Sequence, residues 1–180
     1  MIRISEIFGP TVQGEGPLIG KPTVFIRTGG CDYRCNWCDT LYAVLPKHSK
    51  EWIKMDDQQI IAEVNKLSNN NPILISLSGG NPAMHNLEKV IKIGKKIGHT
   101  FALETQGSLP REWFKFLDYL LLSPKPPSSG EEVDWSKFDS CLEMSKGSNP
   151  YLKIVIFDDI DYEFAKKVSE KYDTLPCYLQ

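Results

Sequence analysis

Short apolar runs rich in β-branched and aromatic residues recur along the chain with helical windows between them. That alternation restricts the fold more than any other feature. The runs fall at residues 23–26, 73–77, 101–103, 119–122, 152–157 and 177–179. The first helical window spans residues 56–67; Asp56 and Gln59 have capping-box spacing, and Ile60, Ile61, Val64 and Leu67 share one face. The second carries Leu87, Val90, Ile91, Gly94 and Ile97, with Gly98 as its stop. A weaker third surrounds Phe138, Leu142 and Met144. The last carries Ile160, Phe164, Val168 and Tyr172, with acidic residues at its start and Lys171 near its end, as the helix dipole favours. Strand–helix–strand alternation predicts an α/β fold of parallel strands with right-handed crossovers, either a partial (β/α) barrel or an open doubly wound sheet.

The 180 residues suit one domain, residues 1–180, able to bury a core without disulfides. Lys and Arg total 21 against 23 Asp and Glu, a net charge of −2 that argues against coating a polyanion and leaves only a local basic patch open. No apolar stretch approaches the ~20 residues of a membrane span. The start, Met1 to Glu6, lacks a charged leader followed by an apolar run, so the expected compartment is the cytoplasm. No internal repeat is visible, and residues 44–54 and 124–132 read as irregular loops.

Chemistry-bearing residues cluster just after four successive runs: 29–40, 78–82, 104–107 and 123–125. Parallel α/β proteins build their sites at the carboxyl ends of strands, so these four loops are expected to face one side.

Five cysteines, three of them within eight residues, do not make a secreted disulfide framework. Cys31, Cys35 and Cys38 instead read as metal or cluster ligands. Three readings stand. A structural zinc wants four ligands, usually two separated pairs, and Cys141 and Cys177 do not form a second pair. A fully ligated iron–sulfur cluster wants a fourth cysteine, which one of those two would have to supply through space. A 4Fe–4S cluster on three thiolates keeps one iron open for a ligand.

The Cys31-x3-Cys35-x2-Cys38 spacing resembles that of the radical S-adenosylmethionine (SAM) superfamily, in which the open iron chelates SAM. Gly29-Gly30 permits a tight turn before the first thiolate. Trp37, between two ligands, is placed to shield the cluster or meet adenine. Ser78-Gly79-Gly80-Asn81-Pro82 resembles the superfamily's Gly-Gly-Glu-Pro motif, with Asn81 in place of the Glu.

The wider pattern resembles the 7-carboxy-7-deazaguanine synthase family of the 7-deazapurine (queuosine) pathway. It rests on the segment from Glu6 to Pro17 with its Gln13-Gly14-Glu15-Gly16, on Phe25-Ile26-Arg27, and on Cys38-Asp39-Thr40. Glu104-Thr105-Gln106-Gly107, Ser123-Pro124-Lys125-Pro126-Pro127-Ser128-Ser129 and Tyr178-Leu179-Gln180 extend it over essentially the whole chain. The resemblance implies a partial (β/α)6-type radical SAM barrel, with a substrate-binding segment at 1–22 and a cluster loop at 29–40. It implies ring contraction of 6-carboxy-5,6,7,8-tetrahydropterin to 7-carboxy-7-deazaguanine and ammonia, with SAM regenerated and Mg²⁺ assisting. Cys31, Cys35 and Cys38 would hold the 4Fe–4S cluster. Trp37, Asp39, Gly80, Glu104, Ser123 and Lys125 would line the SAM site. Val12, Gln13, Gly14, Glu15, Arg27 and Ser78 would bind the pterin, and Thr40 would coordinate Mg²⁺. A homodimer and an electron-donor protein such as a flavodoxin are also implied, with no direct nucleic-acid contact.

The residue types suit those roles. Gln13, Glu15 and the Gly14 backbone can read the donors and acceptors of a pterin edge. Arg27 offers a planar fork to a carboxylate. Mg²⁺ wants hard oxygen ligands and keeps several waters, so Thr40 alone would hold it loosely. His48, His85 and His99 are scattered and read as surface or structural, Cys141 and Cys177 as small buried hydrophobes, and Trp113, Phe114 and Phe116 as packing residues. Two alternatives are a small radical activase acting on a partner protein, and a zinc- or cluster-stabilised binding module. The first has no use for the Gln13–Gly16 segment with Arg27 and Thr40. The last run ends at Gln180 with no helix after it, and the expectation is a fragment of a longer chain.

Overall fold

The computed structural model describes all residues, Met1–Gln180. Its strands are β1 (Ile2–Val12), β2 (Pro22–Thr28), β3 (Ile53–Met55), β4 (Leu74–Gly79), β5 (Thr100–Thr105), β6 (Tyr119–Leu122), β7 (Asn149–Ile154) and β8 (Cys177–Leu179). The helices are α1 (Leu41–Val44), α2 (Asp57–Leu67), α3 (Glu88–Lys96), α4 (Trp135–Met144) and α5 (Asp159–Lys171). All eight strands form one sheet in the order β3-β1-β2-β4-β5-β6-β7-β8. From β2 through β8 the pairings are parallel, giving the six-stranded parallel array expected from the apolar runs. The sheet does not close on itself, so the barrel is partial.

Two strands lie outside the expected pattern. β1 pairs antiparallel with β2 and with β3. Its pairing with β2 slips between Phe8 and Thr11, around Gly9 and Pro10, which breaks the alternation that would reveal an 11-residue strand. β3 is only three residues, at the end of the loop read as irregular over 44–54. Boundaries also shift: β5 runs on to Thr105, so Glu104 sits inside a strand rather than after it, and β7 spans Asn149–Ile154 rather than 152–157.

The helices form where the periodicity places them. Asp56 Oδ1 accepts from Gln59 N at 2.9 Å, and Gln59 Oε1 accepts from Asp56 N at 2.9 Å, which completes the capping box of α2. Gly94 has a packing reason to be in α3: a Cβ there would lie 2.5 Å from the Phe101 ring, so the helix can lie directly on β5. Cys141 is buried, as are His99, Trp113 and Phe114, whereas Cys177 is only partly buried. No helix is long and apolar enough to cross a membrane.

Side chains alternate across each strand. Val24, Ile26, Ile75, Leu77, Phe101, Leu103, Leu120, Leu122, Leu152 and Ile154 face the helices in the main core. Full burial of each such side chain contributes about 1.5–3 kcal/mol. The residues between them face the other way, and that second face carries the chemistry.

Candidate functional site

On the inner face, Leu18, Leu74, Ala102 and Leu121 make a small apolar floor. Next to it, at the carboxyl ends of the parallel strands, opens a cavity of about 510 Å³. The strand period brings Phe25 and Arg27 of β2, Ser78 of β4, Glu104 of β5 and Lys153 of β7 to its wall. The loops that follow β2, β4, β5 and β6 complete it.

The cysteine loop is held by backbone. Gly30 has φ +104° and donates to Ala43 O at 2.7 Å, while its own carbonyl accepts from Asn81 N at 2.8 Å. Gly80 sits against it so closely that a Cβ would lie 2.0 Å from Gly30 O. Cys31, Cys35 and Cys38 all line the cavity with free thiols. Cys31 Sγ accepts from Tyr33 N at 3.4 Å and from Gln106 Nε2 at 3.7 Å. Burial, with neighbouring negative charge, pushes the Cys35 thiol up to about 11, and burial also raises Cys31. Loading a metal group here must therefore release protons.

Asn81 explains its own departure from the motif. It is buried, and its Nδ2 donates to Asp32 Oδ1 at 2.8 Å and Ser108 Oγ at 3.2 Å. Its Oδ1 accepts from Ala83 N at 3.1 Å and Thr105 Oγ1 at 2.9 Å. Asp32, beside the first cysteine, also accepts from Gln106 Nε2 at 2.7 Å and Ser108 Oγ at 2.6 Å. A Glu at position 81 would set a second carboxylate against Asp32; Asn supplies a donor instead.

Trp37 lines the cavity and is anchored from behind. Its Nε1 donates to Ser128 Oγ at 2.9 Å, and Ser128 Oγ donates to the buried Asp161 at 2.6 Å. Phe157 lies against it, ring centroids 5.3 Å apart. Lys125 also stands near the ring, its Nζ 5.7 Å from the Trp37 centroid and donating to Ser123 Oγ at 3.0 Å. Burial lowers the Lys125 ammonium pKa, and the Lys153 charge adds to that. Asp39 and Thr40 also reach the cavity, and the Thr40 hydroxyl is 3.7 Å from Cys38 Sγ.

Opposite lies the Gln13–Glu15 turn. Gln13 is buried, with Nε2 donating to Ser76 Oγ at 3.2 Å and Glu104 Oε1 at 3.3 Å. Gln13 Oε1 accepts from Glu15 N at 3.2 Å, which shapes the turn at Gly14. Lys153 Nζ pairs with Glu15 Oε2, and with Glu104 Oε2 at 2.9 Å. Burial raises the Glu15 pKa, but the Lys153 charge and the hydrogen bonds from Lys153 and Gln180 outweigh it and hold the carboxyl below its ordinary value. Arg27 spends one of its five donors on Glu6 Oε1, 2.8 Å away, and its guanidinium lies 5.7 Å from the Phe8 ring centroid. Phe8 and Phe25 stack at 5.1 Å on the same wall.

The cavity thus brings together Cys31, Cys35, Cys38, Trp37, Asp39, Thr40, Gly80, Glu104, Ser123 and Lys125 with Gln13, Gly14, Glu15, Arg27 and Ser78. Val12 lies outside the lining, 60% exposed at the end of β1. Sequence reasoning placed Gln106 in a chemistry-bearing loop without giving it a role, and missed Lys153 and the Phe8–Phe25 pair. Lys153 had a readable signal, a lone lysine inside an apolar β-branched run. The phenylalanines had none, because the slipped register of β1 at Gly9 and Pro10 hides that Phe8 sits opposite Phe25 on the neighbouring strand.

The donor set suits a 4Fe–4S cluster. The loop offers three thiols, one short of the four ligands a structural zinc takes, and Cys141 and Cys177 are not in the cavity lining. A cluster takes each thiolate on a different iron, and N–H groups directed at a ligating sulfur, as at Cys31, tune such centres. The paired glycines keep Cβ atoms out of the contact between the two loops.

Comparison with known proteins agrees. Residues 25–122 match the model of the radical SAM superfamily. The proteins named 7-carboxy-7-deazaguanine synthase from Bacillus cereus and Bacillus subtilis are 41% and 42% identical to this chain, over 99% of it and 76% of each of them. In fold, the chain is similar to the crystal structure of QueE from Escherichia coli, with a TM-score of 0.79 and 24% identity over 99% of this chain and 82% of that one. On these matches and the architecture around its three cysteines, the chain belongs to the radical SAM superfamily and, within it, to the 7-carboxy-7-deazaguanine synthase family.

Proposed function

We propose that the chain converts 6-carboxy-5,6,7,8-tetrahydropterin to 7-carboxy-7-deazaguanine with loss of ammonia. The supporting observation is one cavity whose wall carries three free thiols on one side and the Gln13–Glu15–Glu104–Lys153 set on the other. Cys31, Cys35 and Cys38 would hold the cluster, on the side of the cavity where SAM would bind. When bound, cluster and SAM supply the radical that starts the reaction.

The protein's own residues bind and orient. Trp37, Asp39, Gly80, Glu104, Ser123 and Lys125 receive SAM, with the Lys125 ammonium suited to its carboxylate. Gln13, the Gly14 backbone, Glu15 and Ser78 read the pterin edge, and Val12 contributes from the rim. Arg27 takes the substrate carboxylate with the donors it does not spend on Glu6. Thr40 gives Mg²⁺ a hard oxygen, the substrate and water supplying the rest. The Phe8–Phe25 stack makes part of the wall apolar, which limits water at a reactive centre. A homodimer, a flavodoxin-like electron donor and a cytoplasmic setting belong to the same reading. An activase that must admit a partner's polypeptide has no use for a buried carboxylate–lysine set.

The test is anaerobic. Protein reconstituted with iron and sulfide, then reduced, is given SAM, Mg²⁺ and the carboxytetrahydropterin, and the product is sought by mass. The expected result is 7-carboxy-7-deazaguanine that disappears in Cys35→Ala and falls when Mg²⁺ is chelated. Cleavage of SAM to 5′-deoxyadenosine without that product would overturn the substrate assignment. Zinc in place of a cluster would overturn the reaction class.

A further inference from the structure

Lys153 lies on β7 and is 8% exposed, on the inner face of the sheet. Its Nζ bridges two carboxylates from distant parts of the chain, Glu15 in the turn after β1 and Glu104 on β5. Each carboxylate is fixed by its second oxygen as well. Glu104 Oε1 accepts from Gln13 Nε2 at 3.3 Å, and Glu15 Oε1 accepts from Gln180 Nε2 at 2.7 Å. Lys125, beyond β6, and Arg27, on β2, also bring positive charge to the cavity; Lys125 donates to Ser123 Oγ and Arg27 pairs with Glu6, while neither is within ion-pair distance of Glu15 or Glu104. Cys31 and Cys35 face Lys125 from the cysteine loop.

We propose that Lys153 is a positioning residue that pairs with both Glu15 and Glu104, so that Glu15, beside a second carboxylate, stays a charged acceptor for the paired N–H groups of the pterin's amidine edge. The inference rests on the functional reading above, in which Glu15 meets the pterin. Two carboxylates sharing a partly buried wall with no cation paired to them raise each other's pKa, so that one takes up a proton as the pH falls toward 5.5. A protonated carboxyl has lost half of the bidentate acceptor that two parallel N–H donors need. Lys153 removes that conflict, as the depressed Glu15 value and the raised Lys153 value both reflect: burial opposes each charge, and the mutual pairing outweighs it. The ammonium also ties the N-terminal turn to β5 and β7, so the acceptor is held in place before substrate arrives.

The test measures equilibrium binding of 6-carboxypterin, a fluorescent oxidised analogue, to the reconstituted protein with SAM under anaerobic conditions at pH 5.5 and 7.5. Wild type should bind with a Kd that changes less than about twofold between the two values. Lys153→Met should bind about tenfold or more weakly at pH 5.5 and recover to within about threefold of wild type at pH 7.5, as a carboxyl with a raised pKa regains its charge. Lys153→Gln, which keeps a donor without the charge, should behave the same way and stands in if the Met variant does not fold. Lys153→Arg should keep the flat profile.

Equal weakening at both pH values in the neutral variants, or no weakening, would overturn the inference while leaving the functional reading intact. A pH-dependent Lys153→Arg would do the same. Wild-type protein that binds no pterin would overturn the functional reading, and the inference with it.

Discussion

Asn81 Nδ2 donates to Asp32 Oδ1 at 2.8 Å, and this bond ties the glycine turn after β4 to the residue that follows the first cysteine. The two loops were read separately in the sequence. In the fold they form one unit, with Asp32 accepting from Asn81, Gln106 and Ser108, and Asn81 accepting in return from Thr105.

Replacing Asn81 by Asp should therefore hurt twice, by losing a donor and by placing like charges together. The expected cost is about 1–3 kcal/mol, the range for leaving buried polar groups unpaired. Urea unfolding of the unreconstituted protein reads the cost, and iron content after reconstitution reads the effect on the loop. The exchanged pair, Asn81→Asp with Asp32→Asn, should recover part of both. No recovery would show that the two side chains act independently.

Asp161 is buried at the start of α5, where it accepts from Ser128 N at 3.1 Å, Ser128 Oγ at 2.6 Å and Phe157 N at 3.1 Å. Ser128 in turn holds Trp37. Asp161→Ala should destabilise by about 1–3 kcal/mol and release the indole. The urea midpoint and a red shift of tryptophan emission check it, the shift being absent when Trp37 is first replaced by Phe.

Gly80→Ala should be severe, because the added methyl has backbone in its place, 2.0 Å from Gly30 O. Overpacking of this kind costs about 1–3 kcal/mol and displaces what it meets, here the turn before Cys31. Iron loading should drop sharply while far-UV circular dichroism stays near wild type. Normal loading would mean that the two loops separate easily.

His99 gives stability a pH dependence. It is 3% exposed, with Nδ1 facing Ile73 N at 3.2 Å and Nε2 facing Asn65 Oδ1 at 2.9 Å. That arrangement fits the neutral Nε2–H form, since a protonated Nδ1 would confront the Ile73 N–H. Burial depresses its pKa below 6.5, so the unfolded chain binds the proton more readily. Its contribution is complete above about pH 6.5 and is lost as pH falls through the lowered folded value. The urea midpoint should therefore decline between pH 7.5 and 5, and His99→Gln should flatten that decline. Identical slopes would remove His99 as the cause.

Much of the site was legible because it is local. Cys31, Cys35 and Cys38 share one loop, and the glycines beside them announce tight backbone. The four loops faced one side as expected, because parallel strands all deliver their carboxyl ends to the same edge. β1 and β3 were not legible: one is interrupted at Gly9-Pro10, and the other is too short to show a period. The reason for Asn81 was not legible either, since Asp32 lies 49 residues away.

The sequence by itself determined the parallel α/β framework, which is written in periodicity, and it carried the resemblance to the family in motifs spread along the whole chain. Only the tertiary structure decided which side chains share charge. The strand alternation turns Glu104 and Lys153 to the same face, but their meeting, and the arrival of Glu15 from 138 residues away, depends on how the sheet curves around the cavity. Ion pairs between distant strands leave no local pattern, for their energy depends on separation and burial in space.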